Sequence, residues 1–201
     1  MTQHTNVLSR RTLLKVSLAG LAFGIFPASA DPGTAPMVDL LREGGYVIYF
    51  RHAATTWSGV DRIDWPRERQ RLLSETGIAQ SERIGEAFAS NEIPVGEVLA
   101  SPFARCRDMA EIAFGRVEER IELLGLLSDA DGHAERVAFL KRMVTTVPSA
   151  GTNRILVSHR SNITAVADVA LAEGEAVVLQ PKDGRFDIVA QLMPDDWPIL
   201  S

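Results

Sequence analysis

The sequence has little of what disulfides and metal sites require. Its 201 residues include a single cysteine, Cys106, so no internal disulfide can form. No second cysteine and no His-x-x-x-His spacing accompanies it, so we expect no metal site. Stability must therefore come from a hydrophobic core, which a chain of this length with 46% hydrophobic residues can build.

Positive charge is also scarce. The chain has 21 basic and 26 acidic residues, a formal net charge of −5. Proteins that bind nucleic acids carry basic surfaces that neutralise phosphates. We therefore expect no nucleic-acid partner.

The sequence also has no apolar run long enough to span a bilayer, which takes about 20 apolar residues. The most apolar stretch, Val16–Phe26, is shorter and rich in alanine and glycine, and it follows the pair Arg10-Arg11. With small residues at its end, this order predicts a signal peptide over residues 1–30, cleaved near Ala30. The arginine pair resembles the twin-arginine export signal, and a general secretory signal with an incidental pair is the alternative.

Cleavage would leave one domain, residues 31–201, without a stable membrane anchor. Residues 1–30 hold three basic residues and no acidic one, so the remaining chain has 18 basic and 26 acidic residues and a formal charge of −8. We expect an exported protein, located in a bacterial periplasm.

Helical and strand patterns alternate along this domain. The patterns predict helices at 36–43, 76–90, 103–114, 134–147 and 162–171, strands at 46–50, 95–100, 121–124 and 155–157, and a hairpin of strands 176–179 and 186–192. This alternation predicts an α/β fold, a three-layer sandwich with a mainly parallel central sheet, helices on both faces and a C-terminal hairpin.

Residues 54–73, called here the 54–73 segment, are polar and irregular and predict a surface loop. The segment carries several arginines that either meet a substrate or are simply solvated: Arg62, Arg67, Arg69 and Arg71.

Three predicted strands end in groups that carry charge or protons. Arg51 and His52 follow the first strand, His159 follows the strand at 155–157, and Arg105 lies in the helix after the strand at 95–100. Taken singly, each could be a strand end meeting water, a surface helix residue or a core histidine. If the strands are neighbours, all four converge where α/β sheets bind ligands, beyond the carboxyl ends of the strands.

Such a cluster repels itself unless an anion lies within it. The planar arginine fork matches phosphate oxygens, and the turn at Ser101-Pro102 adds backbone N–H groups at a helix N-terminus. We therefore expect a phosphoryl group. One histidine would attack phosphorus, and the other would stabilise the charge on its oxygens.

These residues resemble a known family. Tyr-Phe-Arg-His-Ala at 49–53, Ser-Pro-Phe-Ala-Arg at 101–105 and Val-Ser-His at 157–159 are similar to motifs of the histidine phosphatase superfamily, the phosphoglycerate-mutase-like proteins with the hallmark Arg-His-Gly. Segments 70–77 and 173–176 are also similar. The resemblance runs from Tyr46 to about Trp197 and implies the phosphoglycerate-mutase-like fold.

The resemblance also implies residue roles. His52 would be the nucleophile that becomes phosphohistidine, and Arg51, Arg105 and His159 would bind the phosphoryl oxygens, with no metal and no cofactor. Two positions depart from the family pattern. Ala53 replaces the usual glycine, which matters if φ is positive there, and Met109 replaces a common threonine.

The proton donor is expected between the predicted strand at 121–124 and the helix that follows, where relatives often place a carboxylate. Asp129 is the first candidate and Asp131 the second. An aspartate-rich turn that caps the helix is the alternative for either residue.

The function predicted from these features is an exported phosphomonoesterase acting on a small-molecule or glycan phosphate ester, such as an envelope sugar phosphate. Phosphohistidine or phosphoprotein hydrolysis and noncatalytic phosphoanion binding are the alternatives. A mutase is disfavoured, because the chain lacks the insertions that enclose the pocket of larger relatives and because export removes it from glycolytic substrates.

Overall fold

The computed structural model describes residues 35–128 and 131–198. Their helices are α1 Ala35–Glu43, α2 Glu75–Ser90, α3 Ala104–Phe114, α4 His133–Thr145 and α5 Arg160–Ala167. Their strands are β1 Val47–Arg51, β2 Val95–Ala100, β3 Glu118–Glu119, β4 Asn153–Ser158, β5 Ala176–Lys182 and β6 Arg185–Leu192. The predicted signal peptide and Asp129 lie outside these residues.

The six strands form one sheet in the order β3-β2-β4-β1-β5-β6. β3, β2, β4 and β1 are parallel to one another, whereas β5 pairs antiparallel both with β1 and with β6, with which it forms the hairpin at one edge. Asp183 and Gly184, both with positive φ, make the tight turn of that hairpin. The predicted mainly parallel sheet with a C-terminal hairpin is confirmed.

Hydrophobic clusters cover both faces of the sheet. Ile48 and Phe50 of β1 point into one cluster, which α1, α2 and α3 complete. Val47 and Tyr49 point into the other, which α4 and α5 complete. Because successive side chains of β1 enter opposite cores, the strand is buried on both sides, as its continuous apolar run predicted.

One predicted strand is wrong. Residues 121–124 form a 3₁₀ turn, Ile121–Leu123, and the edge strand is Glu118–Glu119 instead. Leu123 and Leu124 are buried in opposite clusters, which imitates the alternation of a strand. The predicted helix at 162–171 also differs, since α5 begins at Arg160 and ends where Asp168 adopts a left-handed conformation.

The register of the sheet aligns the ends of three strands. Phe50 of β1 and Ala100 of β2 both pair with Val157 of β4, from opposite sides. The residues that follow these strands therefore emerge side by side. Within the described residues, no helix is both long and apolar enough to cross a membrane.

Candidate active site

A cavity of about 150 Å³ lies beyond the aligned ends of β1, β4 and β2. The four residues predicted from strand ends all line it: Arg51, His52, Arg105 and His159. Sequence patterns did not single out Asp61 as part of the site, and they left Arg71 open, yet both line the cavity as well. The structure therefore brings the predicted cluster together and adds to it.

Among the described residues, one ring nitrogen of His52 is engaged in a hydrogen bond and the other is not. Its backbone N–H donates to Ser158 O at 3.0 Å, and its Nδ1 lies 2.9 Å from Ala53 O. A carbonyl oxygen can only accept, so Nδ1 carries the proton and Nε2 keeps its lone pair. Ala53 is buried and its φ is not positive, so alanine in place of glycine causes no backbone strain.

The surroundings of His52 favour the neutral imidazole. Burial lowers the pKa of His52 well below 6.5, and the nearby charges of Arg105, Arg51 and Arg71 lower it further. The ring therefore stays neutral to lower pH than an ordinary histidine, as a nucleophile requires.

His159 is fixed from several sides. The Tyr49 hydroxyl donates to His159 O at 2.7 Å, and Nε2 lies 2.9 Å from Ser101 Oγ. Its Nδ1 has no hydrogen-bond partner among the described residues, so this nitrogen is left for a ligand. Burial, followed by the charge of Arg105, lowers the pKa of His159 well below 6.5.

Arg105 is anchored by the 54–73 segment. Its Nη1 donates to both carboxylate oxygens of Asp61, at 2.8 and 3.1 Å, and the two side chains are only 5% and 3% exposed. The guanidinium also lies 4.3 Å above the ring of Phe103. The ion pair between Asp61 and Arg105 forms only because the 54–73 segment folds back over α3, which no local sequence pattern indicates.

A second acidic residue, Glu173, joins two further arginines. Its Oε1 accepts from Arg51 Nη2 at 3.2 Å and from Arg71 Nη2 at 3.1 Å. Burial lowers the pKa of both arginines, yet an arginine stays charged in proteins. Arg51 and Arg71 therefore form one bridged pair beside the cavity.

Arg71 also organises the segment itself. Its guanidinium donates to Trp57 O at 2.9 Å, Gly59 O at 3.3 Å and Thr55 Oγ1 at 2.6 Å. The other three arginines of the segment turn away from the cavity, Arg62 to Asp64, Arg67 to Asp108 and Arg69 onto the ring of Trp65. Only Arg71 of the four lines the cavity.

The charges of the site do not cancel. Four arginines line the cavity, including the exposed Arg160, whereas two carboxylates, Asp61 and Glu173, pair with them. With both histidines neutral, an excess of two positive charges remains. Such a site suits a dianion such as a phosphate monoester.

The expected contribution of the Ser101-Pro102 turn is not found. The first helical N–H of α3, at Ala104, donates to Gln70 Oε1 at 3.1 Å, and neither the turn nor Ala104 lines the cavity. Arg160 and Ser161, at the start of α5, line it instead.

Of the two aspartates predicted as proton donor, only Asp131 can be placed, and it does not lie at the cavity. Asp129 lies outside the described residues, and Asp131 is exposed and does not line the cavity. Asp131 does not cap α4 either, because α4 follows Gly132 and its start has no side-chain cap. Among the described residues, both carboxylates beside the cavity already bind arginines.

Cys106 and Met109 take up core positions on α3. Burial raises the pKa of the Cys106 thiol to about 12, so it is not a thiolate although its Sγ lies 3.8 Å from His159 Nε2. Met109 is fully buried. Within the described ranges, no group of three or more His, Cys, Asp or Glu side chains is placed to hold a metal ion.

Comparison with known proteins shows which family part of the chain resembles. Residues 47–134 match the sequence profile of the histidine phosphatase superfamily (branch 1). No curated protein matches the sequence.

Solved structures share the fold. The protein histidine phosphatase SixA, solved with tungstate, superposes with a TM-score of 0.56 at 15% identity, covering 75% of this chain and 98% of SixA. A phosphoserine phosphatase mutant of Entamoeba histolytica, solved with phosphoserine, gives a TM-score of 0.55 at 13% identity over 75% of this chain and 98% of its own. Residues 47–134 are therefore similar to the histidine phosphatase superfamily, and the chain shares its fold with these solved phosphatases.

Proposed function

We propose that the protein is a phosphomonoesterase that works through a covalent phosphohistidine on His52. The observation that carries the proposal is the state of this ring, with Nδ1 committed to Ala53 O and Nε2 free inside a cavity with excess positive charge. The similarity of residues 47–134 to the histidine phosphatase superfamily supports a phosphatase.

The reaction proceeds in two displacements. Nε2 of His52 attacks phosphorus, the bond from phosphorus to the ester oxygen breaks, and the departing oxygen takes up a proton. Water then attacks the phosphohistidine, the phosphorus–nitrogen bond breaks, and inorganic phosphate and neutral His52 are released. Arg51, Arg105 and His159 stabilise the charge on the phosphoryl oxygens in both steps.

The shape of the cavity supports a phosphate carried on a large group. Val60 and Leu127 line the cavity and are 73% and 83% exposed, so its mouth opens to solvent. An exported enzyme with such a mouth fits a phosphorylated sugar of the cell envelope, which is the substrate class we propose.

A second candidate is hydrolysis of phosphohistidine or phosphoprotein. The protein histidine phosphatase SixA and a phosphoserine phosphatase share this fold. Because no unpaired carboxylate lines the described part of the cavity, a substrate with a good leaving group, such as the imidazole of phosphohistidine, suits the site. Comparing kcat/KM for sugar phosphates, phosphohistidine and phosphoserine peptides decides between the two.

The proposed intermediate is tested by mixing the protein with a phosphate ester and denaturing it rapidly. We expect phosphate on His52 that is labile in acid and stable in base, and no turnover by His52→Ala. His133→Ala, which removes an exposed histidine outside the cavity, serves as the matched control. Intact turnover in His52→Ala would overturn the nucleophile, and stoichiometric phosphate binding without turnover would favour the noncatalytic alternative.

Export is tested separately. Replacing Arg10-Arg11 by Lys-Lys should leave uncleaved precursor in the cytoplasm, because the twin-arginine route reads the arginine pair. Undiminished periplasmic accumulation would indicate the general secretory route, and absence from the periplasm in the wild type would contradict export.

A further inference from the structure

Asp61 occupies an unusual position for a carboxylate in a site that binds anions. It lines the cavity, its side chain is 3% exposed, and it would repel a bound phosphate. Both of its oxygens accept from Arg105 Nη1, and Oδ2 also accepts from the backbone N–H of Arg71 at 2.9 Å. A buried acid at this place costs phosphate affinity, so it needs another role.

The contacts of Asp61 join two parts of the site. Arg105 comes from α3, whereas Asp61 and Arg71 come from the 54–73 segment. Arg71 in turn donates hydrogen bonds to the carbonyls of Trp57 and Gly59 in that segment. Arginine has three side-chain nitrogens, and Asp61 engages only Nη1. The buried Nε has no hydrogen-bond partner among the described residues and none is found for Nη2, so these two nitrogens are left to meet a ligand.

We propose that Asp61 is a positioning residue for catalysis, which holds the Arg105 guanidinium so that its remaining amino group meets the transferring phosphoryl group. This proposal rests on the proposed phosphatase function. Asp61 lowers the affinity for the ground-state dianion through its charge. It raises kcat, because a preorganised donor stabilises the transition state without reorienting during the reaction.

Two substitutions separate charge from position. Asp61→Asn keeps the shape and removes the charge, whereas Asp61→Glu keeps the charge and displaces the carboxylate by one methylene. We expect both to lower kcat for an aryl phosphate by about 100-fold, as a misplaced catalytic group does. Inorganic phosphate should bind more tightly than in wild type to Asp61→Asn, which lacks the charge, and no more tightly than in wild type to Asp61→Glu. Asp64→Asn, an exposed acid of the same segment paired with Arg62, is the matched control.

General damage to the fold would weaken phosphate binding and lower kcat together. The split between a falling kcat and an undiminished affinity therefore distinguishes positioning from a merely structural role. A kcat within twofold of wild type in both variants, or phosphate binding by Asp61→Asn that is no tighter than in wild type, would overturn the proposal. If Asp61→Asn is too unstable to purify, Asp61→Glu carries the kcat test.

A double variant tests whether Asp61 acts through Arg105. If it does, Arg105→Ala with Asp61→Asn is no slower than Arg105→Ala alone, because a residue that positions Arg105 has nothing left to position. Multiplied losses would contradict this. A wild type that binds phosphate, measured by calorimetry, but hydrolyses no ester would contradict the proposed phosphatase function. Tighter phosphate binding by Asp61→Asn would then still show that Asp61 opposes the anion, and unchanged or weaker binding would show that it does not.

Discussion

The rings of His52 and His159 lie edge to face, with centroids 5.6 Å apart and an angle of 65° between their planes. Burial and the neighbouring arginines lower the pKa of both rings. The site therefore pairs neutral histidines with permanently charged arginines. In the proposed mechanism the nucleophile, His52, is uncharged and the positive charge of the site comes from the arginines alone, which has consequences for pH.

The acid limb of activity should lie well below pH 6.5. His52 attacks only when neutral, and its lowered pKa keeps it neutral to lower pH than an ordinary histidine. NMR titration of the ring C–H resonances of His52 measures this pKa directly. Bound phosphate should raise it, because a dianion favours the imidazolium form. A pKa at or above 6.5 in the free protein would contradict the prediction.

Stability should fall as the pH drops below about 6.5. The unfolded chain then binds protons on His52 and His159, while the folded protein does not until their lower pKa values are reached. The free energy of unfolding should change by about 1.4 kcal/mol per pH unit for each histidine. Urea unfolding without phosphate measures this slope, which His159→Asn should make shallower. An equal slope in that variant would show that His159 does not contribute.

Comparing substrates with poor and good leaving groups should identify the residue that donates the proton. If Asp129 is the donor, Asp129→Asn should slow alkyl phosphate hydrolysis by about 100-fold and aryl phosphate hydrolysis much less, since aryl oxides leave without help. The alkaline limb with the alkyl substrate should disappear in that variant. Asp131→Asn is the matched comparison, and equal losses on both substrates, or none in either variant, would exclude both aspartates.

Gly125 should tolerate no side chain. A Cβ added there would lie 3.2 Å from His159 Cγ and 3.2 Å from Ser128 Oγ. Because Tyr49 and Ser101 hold His159 in place, Gly125→Ala should displace the ring slightly and lower kcat by about tenfold. Steady-state kinetics measures the loss, and an unchanged melting temperature would show that the fold is intact. Wild-type kcat would mean that Ser128 alone moves aside.

Much of the fold could be predicted because it depends on local patterns. The apolar run at 46–50 marked a central strand, and the turn signal at 181–184 marked the hairpin. The edge strand could not be predicted, since Glu118 and Glu119 pair with β2 through backbone atoms and their side chains carry no strand signal. Ile121 is 60% exposed, so the apolar run there was not a buried strand.

The site was predictable where strands deliver it and unpredictable where a loop does. Arg51, His52 and His159 follow directly from strand ends, and their convergence follows from neighbouring parallel strands. Asp61 reaches Arg105, 44 positions further along the chain, only because the 54–73 segment folds back. The polar composition predicted that the segment is a solvated surface loop, whereas the Arg71 side chain orders it by donating to the carbonyls of Trp57 and Gly59.

The strand order also constrains how the protein can be made on a ribosome. β1 is the first strand to be synthesised, yet its neighbours are β4 and β5, which end at residues 158 and 182. A nascent chain therefore carries Arg51 and His52 for more than half its length before any partner strand exists. A fragment ending at residue 134, where the family profile ends, would lack the strand that joins β1 to β2. Nascent chains should acquire phosphate binding and protease resistance only late, when the hairpin emerges.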